Sequence, residues 1–557
     1  MNKKHIYITN LFLIISGVTF TQEISKEVYV TSSFKPEIEK AEKINHLPEV
    51  DDTVSVKPAV DIEIMPSRVK TEYEVRPIKP AKIVANPLDK LYNSYLKLGF
   101  GSQVTPLAEF SIQNLRSKKY AYGGYAMHKS SNRKDIKLGN DLYVSDKYSK
   151  NTIGGFGKMF LNDVTLSTEA SFQSYAFHYY GINTADSLTN DDLPNDVFNK
   201  QRYSNLKFKA GLNSNKPDSS ALQYHFNFLT NYFYDKKDNA EGQAGFNTGA
   251  GYYISDFLAG FDLDFNYAKF NPDAGSNRFN VTWNINPSVK KRKEEWEFKI
   301  GAKLTHNRSD TTRWYFYPDA YLRFYVLPEI LQMYFGLGGN LEENYYEKLA
   351  GENPYILPGL TFLNTNHRLI GYGGIMGKLS SKGGYKIDLR FDAMENNYYY
   401  ILQEQGTRQP ENVFINRNDD ADLISLSTEF NYAPFSYLNF LLRNQYNIYK
   451  VVQEKYPYQK PKLSSNFITN YNFNEKIYAR LDIIFIGKRY ALLPTGEDDD
   501  YEELPAIVDI NLGGEYRYSN VLSFFINFNN ILGNKYEYWV NYPTQGFNMM
   551  LGLSYKL

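Results

Sequence analysis

Hydrolytic chemistry needs a hydroxyl nucleophile beside a base that a third polar group orients. His128 followed by Ser130 and Ser131 is the nearest approach in this chain, as a lipid-ester hydrolase would need, and ordinary turn chemistry accounts for it. His178, His225, His306 and His367 are scattered, with no metal-ligand spacing among them. The acidic run Glu497 to Glu503 offers oxygen ligands of the kind calcium takes. It lacks a fixed Asp-x-Asp-x-Asp-Gly spacing, and neither does Asn190 to Asp196 have it, so both read as solvated loops. No catalytic, cofactor or metal site is expected.

Composition narrows the classes. The 557 residues carry 62 basic and 62 acidic side chains, which gives no general basic face for nucleic acid. Mean hydropathy is −0.50. Beyond the first 20 or so residues, no apolar run reaches the roughly 20 residues a membrane helix needs. The 49 Tyr and 37 Phe suit a membrane–water boundary, because a Tyr ring is apolar while its hydroxyl stays wet. With no Cys there are no disulfides, and no thiol for a lipid anchor.

The elements behind this composition alternate with period two from about residue 91. Phe257, Ala259, Phe261, Leu263, Phe265 and Tyr267 interleave with Leu258, Gly260, Asp262, Asp264, Asn266 and Ala268. The same pattern runs through Trp296 to Thr305, Tyr385 to Ala393 and Leu522 to Asn529. Successive strand side chains point to opposite faces, so each segment has one apolar and one polar face. Three features favour a membrane barrel over a soluble sandwich: long segments, charges of both signs on the polar face, and aromatic ends. Lipid offers no partner for an open edge, so the sheet must close. The expected fold is an all-β, transmembrane, antiparallel up-and-down barrel over 91–557, with 22 strands (range 16–22).

Short turns are expected near 162–163, 327–329, 381–383, 433–436, 472–475 and 518–520. Longer outer loops are expected near 132–149, 178–200, 341–366, 401–420, 490–503 and 534–545. Lys207, Lys209, Asp262, Asp264, Lys299, Lys303, Asp388, Arg390 and Asp392 fall on the polar face and are the candidate lumen residues. Their mixed signs argue against a strongly ion-selective filter.

The first segment has another character. Lys3 and Lys4 precede an apolar stretch from Ile6 to Phe20, with small Thr19 and Thr21 at its end, which reads as a signal peptide over 1–21. Residues 22–90 carry Pro36, Pro48, Pro58, Pro66, Pro77, Pro80 and Pro87. Proline breaks sheet ladders, so this stretch reads as a short extended periplasmic arm. It either binds a partner or tucks into the barrel mouth, or it is a disordered spacer.

The C-terminus carries the most specific signal. Gly552, Tyr555 and Leu557 close the chain in a Gly-x-x-apolar-x-apolar pattern that resembles the insertion signal read by the barrel assembly machinery. Leu557 stands where an aromatic is usual. Upstream, Phe528 to Tyr536 resembles the Asn-Leu-Phe-Asp-x-x-Tyr stretch of TonB-dependent receptors, strongest over 476–557. That resemblance implies a receptor-type barrel in the cell outer membrane acting in solute transport. Such receptors begin with a plug of roughly 130 residues, whereas only 22–90 precede the first strand here, so a plugless barrel is expected. Aromatic-rich chains with a signal site before Gln resemble those of the Bacteroidota. The alternative is a structural subunit of an outer-membrane complex that docks a lipoprotein or periplasmic partner through 22–90. Both readings make lipid and the assembly machinery the partners, with no cofactor and no nucleic acid.

Overall fold

The computed structural model describes residues 91–557, apart from 134–135, 139–141, 182–199, 216–220, 361–362, 404–412 and 494–500. The signal peptide, the arm and the Asn190–Asp196 run lie outside the described residues.

Alternating sequence becomes one closed antiparallel sheet of 22 strands. Its first quarter is β1 (Ser94–Gly101), β2 (Thr105–Gln113), β3 (Tyr120–Ser131), β4 (Tyr148–Phe160) and β5 (Val164–His178). The wall continues through β6 (Lys200–Ser214), β7 (Gln223–Tyr234), β8 (Ala240–Ile254), β9 (Phe257–Asn271), β10 (Arg278–Arg292) and β11 (Trp296–Arg308). Next come β12 (Thr312–Leu327), β13 (Leu331–Glu342), β14 (Thr365–Ser380), β15 (Gly383–Leu402) and β16 (Phe414–Phe435). The ring is completed by β17 (Leu438–Val451), β18 (Leu463–Phe473), β19 (Ile477–Ile486), β20 (Ile507–Arg517), β21 (Leu522–Asn529) and β22 (Asn548–Lys556). Each strand pairs with its sequence neighbour, and β22 pairs with β1 from Gly101↔Met550 to Tyr95↔Lys556.

Closure is clamped at the chain ends. The Asn93 amide donates to the Leu557 carbonyl (2.8 Å), and the Leu557 amide returns to Ser94 (2.9 Å). Gly552 makes the seam possible, because a Cβ there would lie 2.2 Å from the Leu98 carbonyl and 2.3 Å from the Phe525 ring. Phe525, the one aromatic in the polar register of β21, therefore lies over a glycine where a side chain would otherwise stand.

Turns at the end holding the termini are tight, as at Ser255-Asp256 and at Asn474-Glu475, where both residues have positive φ. Connections at the far end are mostly longer, as the sequence pattern predicts. One expected loop is shorter. The stretch 401–420 is strand up to Leu402 and again from Phe414, since Tyr399 and Ile401 bury against Tyr458 while Tyr400 and Leu402 join an inner cluster. The loop 343–364 also holds an unanticipated helix, α1 (Tyr346–Glu352).

Candidate functional site: the inner wall and its mouth

Which face is inside follows from α1. Its loop touches β6 through Lys207, whose ammonium meets Glu347 at 2.6 Å, and β15 through Tyr398, whose hydroxyl meets Glu352 at 2.8 Å. Those strands lie far apart on the ring, so one short helix reaches both only from within. Directly paired residues share a face. Stepping around the register from Lys207 assigns the regular part of each strand, and the assignment returns consistent across the β22–β1 seam. Beyond the β15 bulge at Met394/Asn397, where Asn396 has positive φ, Tyr398 leaves that register and turns to α1. The opposite face carries large exposed apolar side chains, among them Ile300, Phe316, Leu389 and Leu206.

All nine candidate charges stand on the inner face, and they pair locally. Lys209 faces Glu169 at 3.7 Å. Asp262 lies 3.8 Å from His225, and Asp264 accepts from the Asn247 amide at 2.5 Å. Lys299 meets Asp319 at 2.5 Å, while Lys303 reaches the Gly339 carbonyl at 3.4 Å. Lys386 pairs with Asp388 at 2.9 Å, and Arg390 with Asp392 at 2.6 Å. They make no single cluster: the structure spreads them around the wall as separate pairs.

Near the mouth these pairs converge on α1. Glu241 of β8 accepts the backbone amides of Tyr346 (2.7 Å) and Glu347 (3.2 Å), which caps a helix start that has no side-chain cap of its own. Asp235 accepts the Tyr346 hydroxyl at 2.7 Å. Lys348 binds Glu342, whose other oxygen meets His367 Nε2 at 2.8 Å. His367 Nδ1 faces Asp392 at 2.9 Å, so a ring donating from both nitrogens links α1 to the wall.

Aromatic packing completes the layer. Tyr346 and Leu349 are fully buried among Tyr203, Phe233 and Tyr400. Tyr355 stacks on Tyr542 of the β21–β22 loop at 3.7 Å between centroids. The Tyr203 hydroxyl donates to the Pro354 carbonyl (2.9 Å), and the Leu357 amide to Phe414 (2.8 Å). Burial pushes the Tyr346 phenol well above its ordinary range. Desolvation likewise raises the Glu343 carboxyl, although Tyr345, Asn266 and Asn280 donate to it.

Sequence reasoning missed this layer. Its one local signal is Tyr346, Leu349 and Ala350 at helical spacing inside a polar loop. His367 gave no signal, because its carboxylate partners are 25 residues away on either side.

The remaining histidines are dispersed. His306 packs against Trp314 with ring centroids 4.4 Å apart and planes tilted by 53°, and His178 meets the Lys147 carbonyl at 3.1 Å. His128 and Ser130 lie within β3, not in a turn, so turn chemistry does not account for them. Among the described residues no group of His, Asp and Glu could hold a metal ion. Of the acidic run, Glu503 pairs with Lys488 at 2.5 Å, while Glu497 to Asp500 lie outside the described residues. Gly552 and Tyr555 lie in β22, and Leu557 forms the end clamp.

No protein-family model matches the sequence, and no curated protein does. Solved structures do share the fold. The FrpB iron transporter from Neisseria meningitidis (F3-3 variant) superposes with a TM-score of 0.65 at 10% identity, covering 84% of this chain and 82% of its own. A ferric enterobactin receptor mutant (PfeA) from Pseudomonas aeruginosa gives 0.61 at 10% identity, covering 83% and 80%. The pyoverdine outer membrane receptor FpvA from the same species, bound to pyoverdine, gives 0.60 at 11% identity, covering 84% and 79%. What they share with this chain is the barrel fold.

Proposed function

We propose that this chain is a transport barrel of the cell outer membrane, passing a polar solute through its lumen. One observation carries the reading: a closed ring whose inner wall is lined by paired charges and amides, while its outer face is apolar. The fold is shared with proteins named as an iron transporter and as a pyoverdine outer membrane receptor, which supports a transport role. Residues 1–21 direct export, 22–90 form a periplasmic arm, and Gly552, Tyr555 and Leu557 serve the assembly machinery. The loop holding α1 acts as the gate, because it joins distant parts of the wall at the mouth.

Liposome swelling tests this. Vesicles carrying the full chain admit arabinose and sucrose, and deleting 346–358 increases the rate. Vesicles that stay impermeable with both forms refute transport.

The aromatic layer favours a second reading, since hydrogen-bonded packing across the mouth suits a closed scaffold. In that case 22–90 docks a lipoprotein or periplasmic partner. A mild-detergent pull-down from outer membranes returns a stoichiometric partner that is lost on deleting 23–85. A lone barrel rejects that alternative.

A further inference from the structure

The outer face of β3 and β4 carries an array that transport does not use. His128 and Ser130 sit two apart on β3, so both point outward, and Asn151 of β4 is the residue paired with His128. His128 Nε2 lies 3.1 Å from Ser130 Oγ, and His128 Nδ1 lies 2.7 Å from Asn151 Oδ1. The Asn151 amide nitrogen donates to Ser149 Oγ at 3.1 Å, an orientation that turns the amide oxygen to the ring. With Asn151 presenting oxygen, Nδ1 carries the proton, and the Nε2 lone pair is left for the serine hydroxyl. Nucleophile, base and orienter thus stand in the relation that acyl transfer requires, with an amide as the third member.

A second feature points to the substrate. An apolar groove of about 310 Å³ runs along the same outer face and ends at His128 and Asn151. Ala108 and Ala126 leave the space, and Leu96, Phe110, Ile153 and Phe172 flank it. It descends from the rim toward the middle of the wall: His128 pairs with Ala108, and Ala126 with Phe110. Ser130 lies above it, level with the β1–β2 turn, where the Asn132 amide meets the Val104 carbonyl at 3.1 Å. A lipid lying along this face would place its acyl chain in the groove and its ester at the rim. Ser130 itself is 5% exposed and lies beyond the groove's lining, so the ester must pass His128 to reach it.

We propose that this array is a hydrolase site for the acyl ester of a glycerophospholipid. Ser130 Oγ attacks the ester carbonyl and its proton passes to His128 Nε2. The carbon–oxygen bond to the glycerol breaks, and His128 returns that proton to the leaving alkoxide. Water then adds to the acyl-serine, giving its proton to His128, and the acyl–Ser130 bond breaks as His128 returns that proton to Ser130 Oγ, releasing the fatty acid. One water is consumed per ester, and the serine hydroxyl is restored. Asn151 is a positioning residue that holds the ring tautomer. The site rests on the membrane placement proposed above, and solute uptake by the same protein reconstituted in liposomes reads that proposal separately.

The test uses the full chain in Triton X-100 mixed micelles with 1-palmitoyl-2-oleoyl-phosphatidylethanolamine, measuring free fatty acid. Wild type releases fatty acid. Ser130→Ala and His128→Gln lower the rate at least about a hundredfold, the range for loss of a nucleophile or base. Asn151→Leu lowers it at least about tenfold and Asn151→Asp restores it, a rescue that packing alone would not give. Ser131→Ala, whose hydroxyl points inward to Gln545, leaves it unchanged. Hexadecanesulfonyl fluoride, applied to the unaltered chain, attaches at Ser130 by peptide mass spectrometry, so the nucleophile is identified even if a variant misfolds. Absence of fatty-acid release by wild type overturns the proposal, as does release that survives Ser130→Ala in a heat-modifiable, folded barrel.

Discussion

Glu241, on the wall, caps a helix that belongs to a loop a hundred residues later: its carboxylate accepts the Tyr346 backbone amide at 2.7 Å. A helix of seven residues has little stability of its own. Its place at the mouth therefore depends on such wall contacts. Glu241→Leu removes the cap and should loosen α1 locally by about 1–2 kcal/mol. Hydrogen exchange would show faster exchange over 343–357 with the β-ladder protected as before. Unchanged exchange there would mean that aromatic packing alone holds the loop.

Lys207 and Glu347 offer a way to lock the same loop. The chain has no cysteine, so Lys207→Cys with Glu347→Cys introduces a lone pair of thiols, and because a lysine and a glutamate span this contact, a short bis-maleimide with a cleavable disulfide spacer is needed to bridge them. Cross-linking should slow sucrose entry into vesicles several-fold, and reductant, which cleaves the spacer, should restore it. Equal rates in both states would remove the loop from any gating role.

Neighbouring residues on one strand should respond oppositely to charge. Ile300 is 64% exposed on the outer face, and Lys299 beside it faces the lumen. Ile300→Arg should cost about 2–4 kcal/mol if that position lies near the bilayer midplane. Lys299→Gln breaks a pair with Asp319 whose side chains are 24% and 26% exposed, and should cost about 1 kcal/mol. Reversible urea unfolding in vesicles measures both; similar costs would contradict the assignment of faces.

Gly552→Val should prevent closure. The added carbons meet the Leu98 carbonyl, which is backbone and cannot turn aside, as well as the Phe525 ring. The protein should lose its heat-modifiable band on gels, and adding Phe525→Leu should not restore it. Rescue by that second change would place the clash in the ring alone.

Glu343 gives the mouth a pH dependence. Desolvation raises its folded carboxyl above the unfolded value, so the protonated form is favoured in the fold. The loop is then more stable at acid pH, and it loses that stability as pH rises from the unfolded carboxyl range through the raised folded one. Hydrogen exchange over 343–357, corrected for intrinsic rates, should show easier opening at pH 7 than at pH 5. Glu343→Gln should flatten the difference.

The period-two pattern determined the all-β wall and the polar and apolar sides of its segments, because alternation is written in adjacent residues and a one-residue slip reverses every face. It left the strand number between 16 and 22, and the closed sheet settles it at 22. Phe525 is an exception that local pattern does not explain: its place over Gly552 exists only once β21 meets β22. The tertiary structure alone decided what spans the mouth. Tyr346, Glu241 and Tyr400 are far apart in sequence and meet only because closure brings distant strands within reach of one loop. The same holds for Asn151 and His128, which are 23 residues apart and become neighbours through the β3–β4 register. Sequence spacing shows contacts along one strand, while contacts across the ladder and across the lumen depend on register and closure, which are properties of the whole sheet.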